Sequence, residues 1–149
     1  MRKAHILFVC TGNTCRSPMA KAITQACIEQ NPSSELEITV DSAGVAAADR
    51  YPASPEAIEA LSERGIDLSQ HQSQSLTAEL IDRADLIYTM TPSHRHAIVQ
   101  SIPSSAHKVF GLSSEHPVLD PYGQSISVYR DVADQLERLI QARLEEIRE

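Results

Sequence analysis

The stretch Cys10-Thr11-Gly12-Asn13-Thr14-Cys15-Arg16-Ser17-Pro18-Met19 sets a cysteine and an arginine at the two ends of a short polar loop. A thiolate can attack phosphorus, and the planar fork of a guanidinium can hold two equatorial phosphoryl oxygens while staying charged. The preceding Ile6-Leu7-Phe8-Val9 reads as a buried strand, and Ser17 followed by Pro18 reads as an N-cap with proline at the first helical position. Cys10 then stands at the strand's C-terminal edge, facing a helix N-terminus. Unpaired N–H groups and the positive end of the helix dipole attract an oxyanion there, and the same field lowers the pKa of a thiol. The pattern predicts a phosphate site that contains its own nucleophile.

Each loop residue has a task in such a site. Gly12 lets the backbone bend with its amides turned inward, and Asn13 tolerates the left-handed conformation that a concave nest of amides needs. Arg16 closes the loop, and the Ser17 hydroxyl can donate to the Cys10 sulfur and assist its departure from a phosphocysteine. A cysteine and an arginine at this spacing are a short pattern, equally readable as a buried strand cysteine and a surface arginine; the strand before them and the capped helix after them favour the chemical reading. Asp120 precedes Pro121, a common turn opening. Paired with Cys10 it acquires a second meaning, since one carboxyl on a loop can protonate a leaving group and then take a proton from water.

The elements that must position these residues are readable from periodicity. Apolar runs at about residues 4–10, 36–41, 85–90 and 107–112 alternate with helical patterns at about 18–30, 55–65, 77–83, 92–101 and 125–148. A βα alternation predicts an α/β domain over residues 1–149, with a small, about four-stranded parallel sheet between helices and its site at the strands' C-terminal ends. The last helix carries the clearest stripe, Val128, Val132, Leu136, Leu139, Ile140 and Ile147. Neither a signal peptide nor a membrane span is expected, and three cysteines without an export signal point to free thiols in a reducing cytoplasm. A net charge of −7 argues against general nucleic-acid binding. His5, His94, His96, His107 and His116 lack metal spacing, and His94 and His96 read as solvated surface at a helix start, so no metal or other cofactor is expected.

Beyond the loop, the chain carries Asp41-Ser42-Ala43-Gly44, Arg64-Gly65-Ile66-Asp67-Leu68-Ser69, His71 ahead of Leu76-Thr77, Ala84-Asp85-Leu86-Ile87-Tyr88-Thr89-Met90, and Asp120-Pro121-Tyr122 before the last helix. With these in order, it resembles the low-molecular-weight protein tyrosine phosphatases over nearly its whole length. The resemblance implies a three-layer fold with Cys10 as nucleophile, Arg16 as phosphate clamp and Asp120 as general acid. It also implies that Asn13, Ser17, Ser42 and His71 form a hydrogen-bond network behind the loop. Cys15 either fills the loop or, as the family implies, forms a disulfide with Cys10 under oxidation.

Within the family, phosphotyrosine-specific members usually carry a larger aliphatic residue where this chain has Thr14, and the bacterial protein arginine phosphatases carry threonine. A shorter wall with a hydroxyl leaves room for a polar, branched guanidinium, which Asp120 could also hydrogen-bond. Val118-Leu119-Asp120-Pro121-Tyr122-Gly123-Gln124-Ser125-Ile126 resembles the Asp-Pro-aromatic-Gly-x-Ser loop of the arginine branch, and Thr91 follows Met90 where the tyrosine phosphatases commonly have aspartate. The small stretch Val45-Ala46-Ala47-Ala48 leaves Tyr51 or Tyr122 to line the pocket, or leaves the pocket open. The expected activity is hydrolysis of phosphoarginine in a protein or peptide, with phosphotyrosine the alternative, and the resemblance implies an opposing protein-arginine kinase. Related arsenate reductases pass electrons through further cysteines, whereas Cys27 is the last one here. A phosphate-binding module without catalysis would have lost the nucleophile, the arginine or the acid.

Overall fold

Apolar runs that must be covered on both sides fold into a parallel sheet, because each crossover lays a helix on one face or the other. The computed structural model describes residues 2–149. In chain order the elements are β1 (Arg2–Cys10), α1 (Arg16–Gln30), β2 (Leu36–Gly44), α2 (Pro55–Ser62), α3 (Ala78–Arg83), β3 (Leu86–Thr89), α4 (Pro92–Ser101), a 3₁₀ helix (Pro103–Lys108), β4 (Val109–Gly111) and α5 (Ile126–Arg148). The four strands lie in the order β2-β1-β3-β4, and all neighbours are parallel. Phe8 pairs with Ser42 on one side and Tyr88 on the other, so β1 is central and its C-terminal residue, Cys10, emerges beside Gly44.

Alternation along β1 divides the interior into two cores. Ile6, Phe8 and Cys10 join Met19, Leu61 and Tyr129 beneath α1, α2 and α5, whereas Leu7 and Val9 join Ile81, Ile98 and Val109 beneath α3 and α4. Each fully buried large aliphatic side chain contributes roughly 1.5–3 kcal/mol by leaving water. The loop that follows Cys10 is therefore mounted on the central strand, which is paired on both sides and buried at its C-terminal end.

Two local expectations are corrected. Helix α1 begins at Arg16, with Cys15 at the N-cap position and no side-chain cap, so Ser17 is its second residue and not its cap. The Ser17 hydroxyl is engaged inside the phosphate loop, and Pro18 falls in the first turn, where its missing N–H has no partner to lose. On α5 the buried stripe is Tyr129, Val132, Ala133, Leu136, Ile140 and Leu144. Leu139 and Ile147 only flank that core. No described helix is long and apolar enough to cross a membrane.

Candidate active site

The loop between β1 and α1 is turned by Asn13, whose φ of 56° lies in the left-handed region. Gly12 does not share this role, because its φ is not positive and an added Cβ would meet only Thr14 Oγ1 at 3.8 Å. A single asparagine makes the turn, as its short polar side chain can bond locally while the backbone stays in that conformation.

Cys10 lies at the bottom of the loop, 2% exposed. Its sulfur is 2.8 Å from Ser17 Oγ, and the backbone N–H groups of Ser17 and Asn13 also serve it. Asn13 Nδ2 donates to Ser17 Oγ at 2.8 Å, which leaves the Ser17 hydroxyl proton free to point at the sulfur; its other acceptor, the Ala43 carbonyl, is 3.5 Å away. Burial pushes the Cys10 thiol above its ordinary pKa, while the Ser17 hydroxyl, the two amides and Arg16 pull it back. The donors therefore act in the direction expected of a helix N-terminus, and burial opposes them. Removal from water outweighs the local donors, so thiolate formation depends on each of them.

Arg16 is 5% exposed and reaches across to the loop that carries Asp120. Its Nη1 donates to the Val118 carbonyl at 3.1 Å, and Val118 N–H bonds to the carbonyl of Met90 at 2.9 Å, just beyond β3. Its Nη2 lies 3.5 Å from Thr11 Oγ1 and 3.6 Å from Asp120 Oδ2. The other carboxyl oxygen, Oδ1, accepts from the Tyr122 N–H at 3.1 Å. Asp120 therefore is a turn aspartate and also faces the phosphate loop, one oxygen for each. Tyr122 and Tyr51 are 72% and 59% exposed, so neither ring packs into a closed wall.

Behind the loop every polar group of Asn13 is used. Besides Ser17, its Nδ2 donates to Ser42 Oγ at 3.0 Å; its Oδ1 accepts from Gln74 N–H at 3.0 Å and its carbonyl from His71 Nε2 at 2.8 Å. The four residues expected to meet there do meet, and Gln74 is a fifth. Gly44 makes the approach feasible: a Cβ on it would stand 2.5 Å from the Thr11 carbonyl and 3.0 Å from Asn13 N.

Several contributors are not evident from the sequence. His94 is 4% exposed, with Nε2 2.8 Å from Thr11 Oγ1, so it is not a solvated surface residue. Burial first, then Arg16, hold its pKa down at about 4 against the pull of Asp120. Cys15 Sγ lies 3.4 Å from both Ser54 Oγ and Tyr129 Oη, and burial and the Cys15 sulfur raise the Tyr129 pKa. Tyr129 hides in the sequence because one position earlier, Val128, fits the same apolar stripe. Among the described residues no cluster of three or more His, Cys, Asp or Glu is arranged to hold a metal ion.

Comparison with known proteins bears on this arrangement. A family model described as low molecular weight phosphotyrosine protein phosphatase matches residues 5–149. The chain is 44% identical over 140 residues to a protein-arginine-phosphatase of Bacillus subtilis, covering 91% of each. It is 35% identical to a probable low molecular weight protein-tyrosine-phosphatase, EpsP, of Ralstonia nicotianae, covering 96% of this chain and 95% of that one. Among solved structures it superposes on a YwlE arginine phosphatase mutant with a phosphorylated active site serine at a TM-score of 0.91 and 41% identity, covering 97% and 96%.

Proposed function

Since the chain belongs to the low molecular weight phosphotyrosine protein phosphatase family, we propose that it hydrolyses phosphoarginine in proteins through Cys10, Arg16 and Asp120. It is a cysteine-dependent protein phosphatase, and relatives of both the arginine and the tyrosine kind are similar to it. The substrate reading rests on Thr14. Its carbonyl accepts from Ser54 N–H at 2.9 Å, which fixes the loop backbone, while its hydroxyl finds only Cys15 Sγ at 3.8 Å among the described residues. A short wall with a spare hydroxyl suits a guanidinium, whose N–H groups need acceptors, better than it suits an aromatic ring.

In the proposed mechanism the Cys10 thiolate attacks phosphorus in line, forming an S–P bond as the bond from phosphorus to the guanidino nitrogen breaks. Asp120 gives that nitrogen a proton. Arg16 and the amides of residues 11–16 hold the equatorial oxygens as charge redistributes in the transition state. Water then attacks phosphorus, Asp120 takes its proton, and the S–P bond breaks to release phosphate and thiolate. The Ser17 hydroxyl stabilises the sulfur as it leaves. Free thiols and the kind of chemistry suit a cytoplasmic enzyme working against a protein-arginine kinase.

The test is phosphate release by the reduced protein from matched phosphoarginine and phosphotyrosine peptides, with Cys10→Ser as control. A preference for phosphoarginine that Thr14→Ile shifts toward phosphotyrosine is the expected result. A ratio unchanged by Thr14→Ile would reject Thr14 as the filter, and turnover by Cys10→Ser would reject the mechanism.

A further inference from the structure

We propose that His94 is a positioning residue of the phosphate site, bracing the Thr11 hydroxyl and, through it, the Arg16 guanidinium from the first turn of α4. The inference rests on reading the Cys10–Arg16 loop as the phosphate site, and it concerns a side chain that touches none of the reacting atoms.

The ring is fixed at both nitrogens. Nδ1 lies 3.1 Å from Thr91 Oγ1, the N-cap of α4, and that oxygen also accepts from the His94 N–H at 3.4 Å. Nε2 lies 2.8 Å from Thr11 Oγ1. Thr11 follows the nucleophile directly and is itself exposed, so without the ring its hydroxyl would be free to rotate. The same oxygen is 3.5 Å from Arg16 Nη2, the nitrogen that faces Asp120. One hydrogen-bonded chain thus runs from the cap of α4 through His94 and Thr11 to the clamp, whose Nη2 is ion-paired with the acid at 3.6 Å. Orientation of that clamp matters because a guanidinium engages two phosphoryl oxygens only when its plane is aligned with them.

Both ring nitrogens face threonine hydroxyls, which assigns the ring to positioning. The charged groups that act on it are Arg16 and Asp120, and the ring stays neutral down to a pKa of about 4. A neutral ring donates from one nitrogen and accepts at the other, so either tautomer completes the chain because both threonine hydroxyls can turn to match.

Steady-state kinetics on an aryl phosphate, with melting temperatures measured alongside, test this. His94→Ala and Thr11→Val should each lower kcat about tenfold, within the range that slight misplacement of a binding group produces. The double variant should lose no more than the worse single one, because both break the same chain. His94→Gln, whose amide reaches toward the Nε2 position, should recover most of kcat and leave the acid limb of kcat/KM where it is in the parent. Multiplicative losses, a Thr11→Val variant with the parent's kcat, His94→Gln as impaired as His94→Ala, or a displaced acid limb would each overturn the assignment. Should His94→Ala not fold, Thr11→Val and His94→Gln decide alone. Turnover that survives Cys10→Ser would instead overturn the underlying site, and this inference with it.

Discussion

Replacing Ser17 by alanine isolates the side-chain contact made to the Cys10 sulfur. In the folded protein the hydroxyl stands 2.8 Å from Cys10 Sγ with its proton directed there by the Asn13 amide, in a pocket where the serine is fully buried. A hydrogen bond to a charged group contributes roughly 1.5–3 kcal/mol. A factor of ten corresponds to about 1.4 kcal/mol, so losing this bond should lower the thiolate-to-thiol ratio of Cys10 roughly ten- to a hundredfold at a given pH. The direction follows because the hydroxyl favours the thiolate, and burial already opposes it. The remaining donors, the amides of Ser17 and Asn13, are main-chain groups and stay in place. The assay is alkylation of Cys10 by iodoacetate as a function of pH, followed by mass spectrometry in parent and variant, with kcat/KM profiles in parallel. Both inflections should move to higher pH together. An alkylation curve with an unmoved inflection would refute the reasoning, since the hydroxyl would then contribute nothing to the thiolate.

Other perturbations read other parts of the site. Asp120→Asn should reduce kcat/KM for a peptide substrate by about 10²–10⁴, and far less for an aryl phosphate whose leaving group needs no proton; equal losses would deny Asp120 the role of acid. Gly44→Ala forces a methyl against the Thr11 carbonyl at 2.5 Å and should cost about 1–3 kcal/mol of stability along with turnover, whereas Gly12→Ala, with 3.8 Å to its nearest neighbour, should fold normally; denaturant midpoints give the comparison. Because the His94 pKa falls from 6.5 in the unfolded chain to about 4 in the fold, its proton is taken up first by the unfolded state. Stability is therefore unaffected above pH 6.5 and is lost as pH falls toward 4, by roughly 3 kcal/mol in all; His94→Gln should flatten that slope, and parallel stability curves would contradict it. Mild peroxide should produce a reversible Cys10–Cys15 disulfide detectable by mass spectrometry, requiring the Cys15 sulfur to leave Ser54 and Tyr129; sulfinic acid on Cys10 alone would speak against the pairing.

Much of the molecule was legible from spacing along the chain. The βα alternation, the polar loop after the first strand, and the left-handed turn at Asn13 depend on neighbouring residues, and local periodicity and side-chain type encode such things directly. The cap of α1 departs from its local signal for the opposite reason. Serine before proline carries a local signal for a cap, but the Ser17 hydroxyl is taken by Cys10 and Asn13, and a tertiary bond to a buried sulfur outweighs a local preference.

His94 shows the same limit more sharply. In the chain it is one of two histidines at a helix start; in the fold it meets Thr11, a residue 83 positions away, because β3 pairs beside β1 and brings the N-terminus of α4 to the phosphate loop. Arg16 reaches Val118 across 102 positions through the same sheet end, and Gly44 is needed only because β2 ends against the loop backbone. The amino-acid sequence by itself determined which groups could do chemistry and which segments would be strands and helices, since both follow from residue type and short-range order. Only the tertiary structure decided which polar groups are removed from water and which distant partners they find. Those two things set the ionisation of Cys10 and the aim of Arg16, because desolvation and hydrogen bonding act through space and not along the chain.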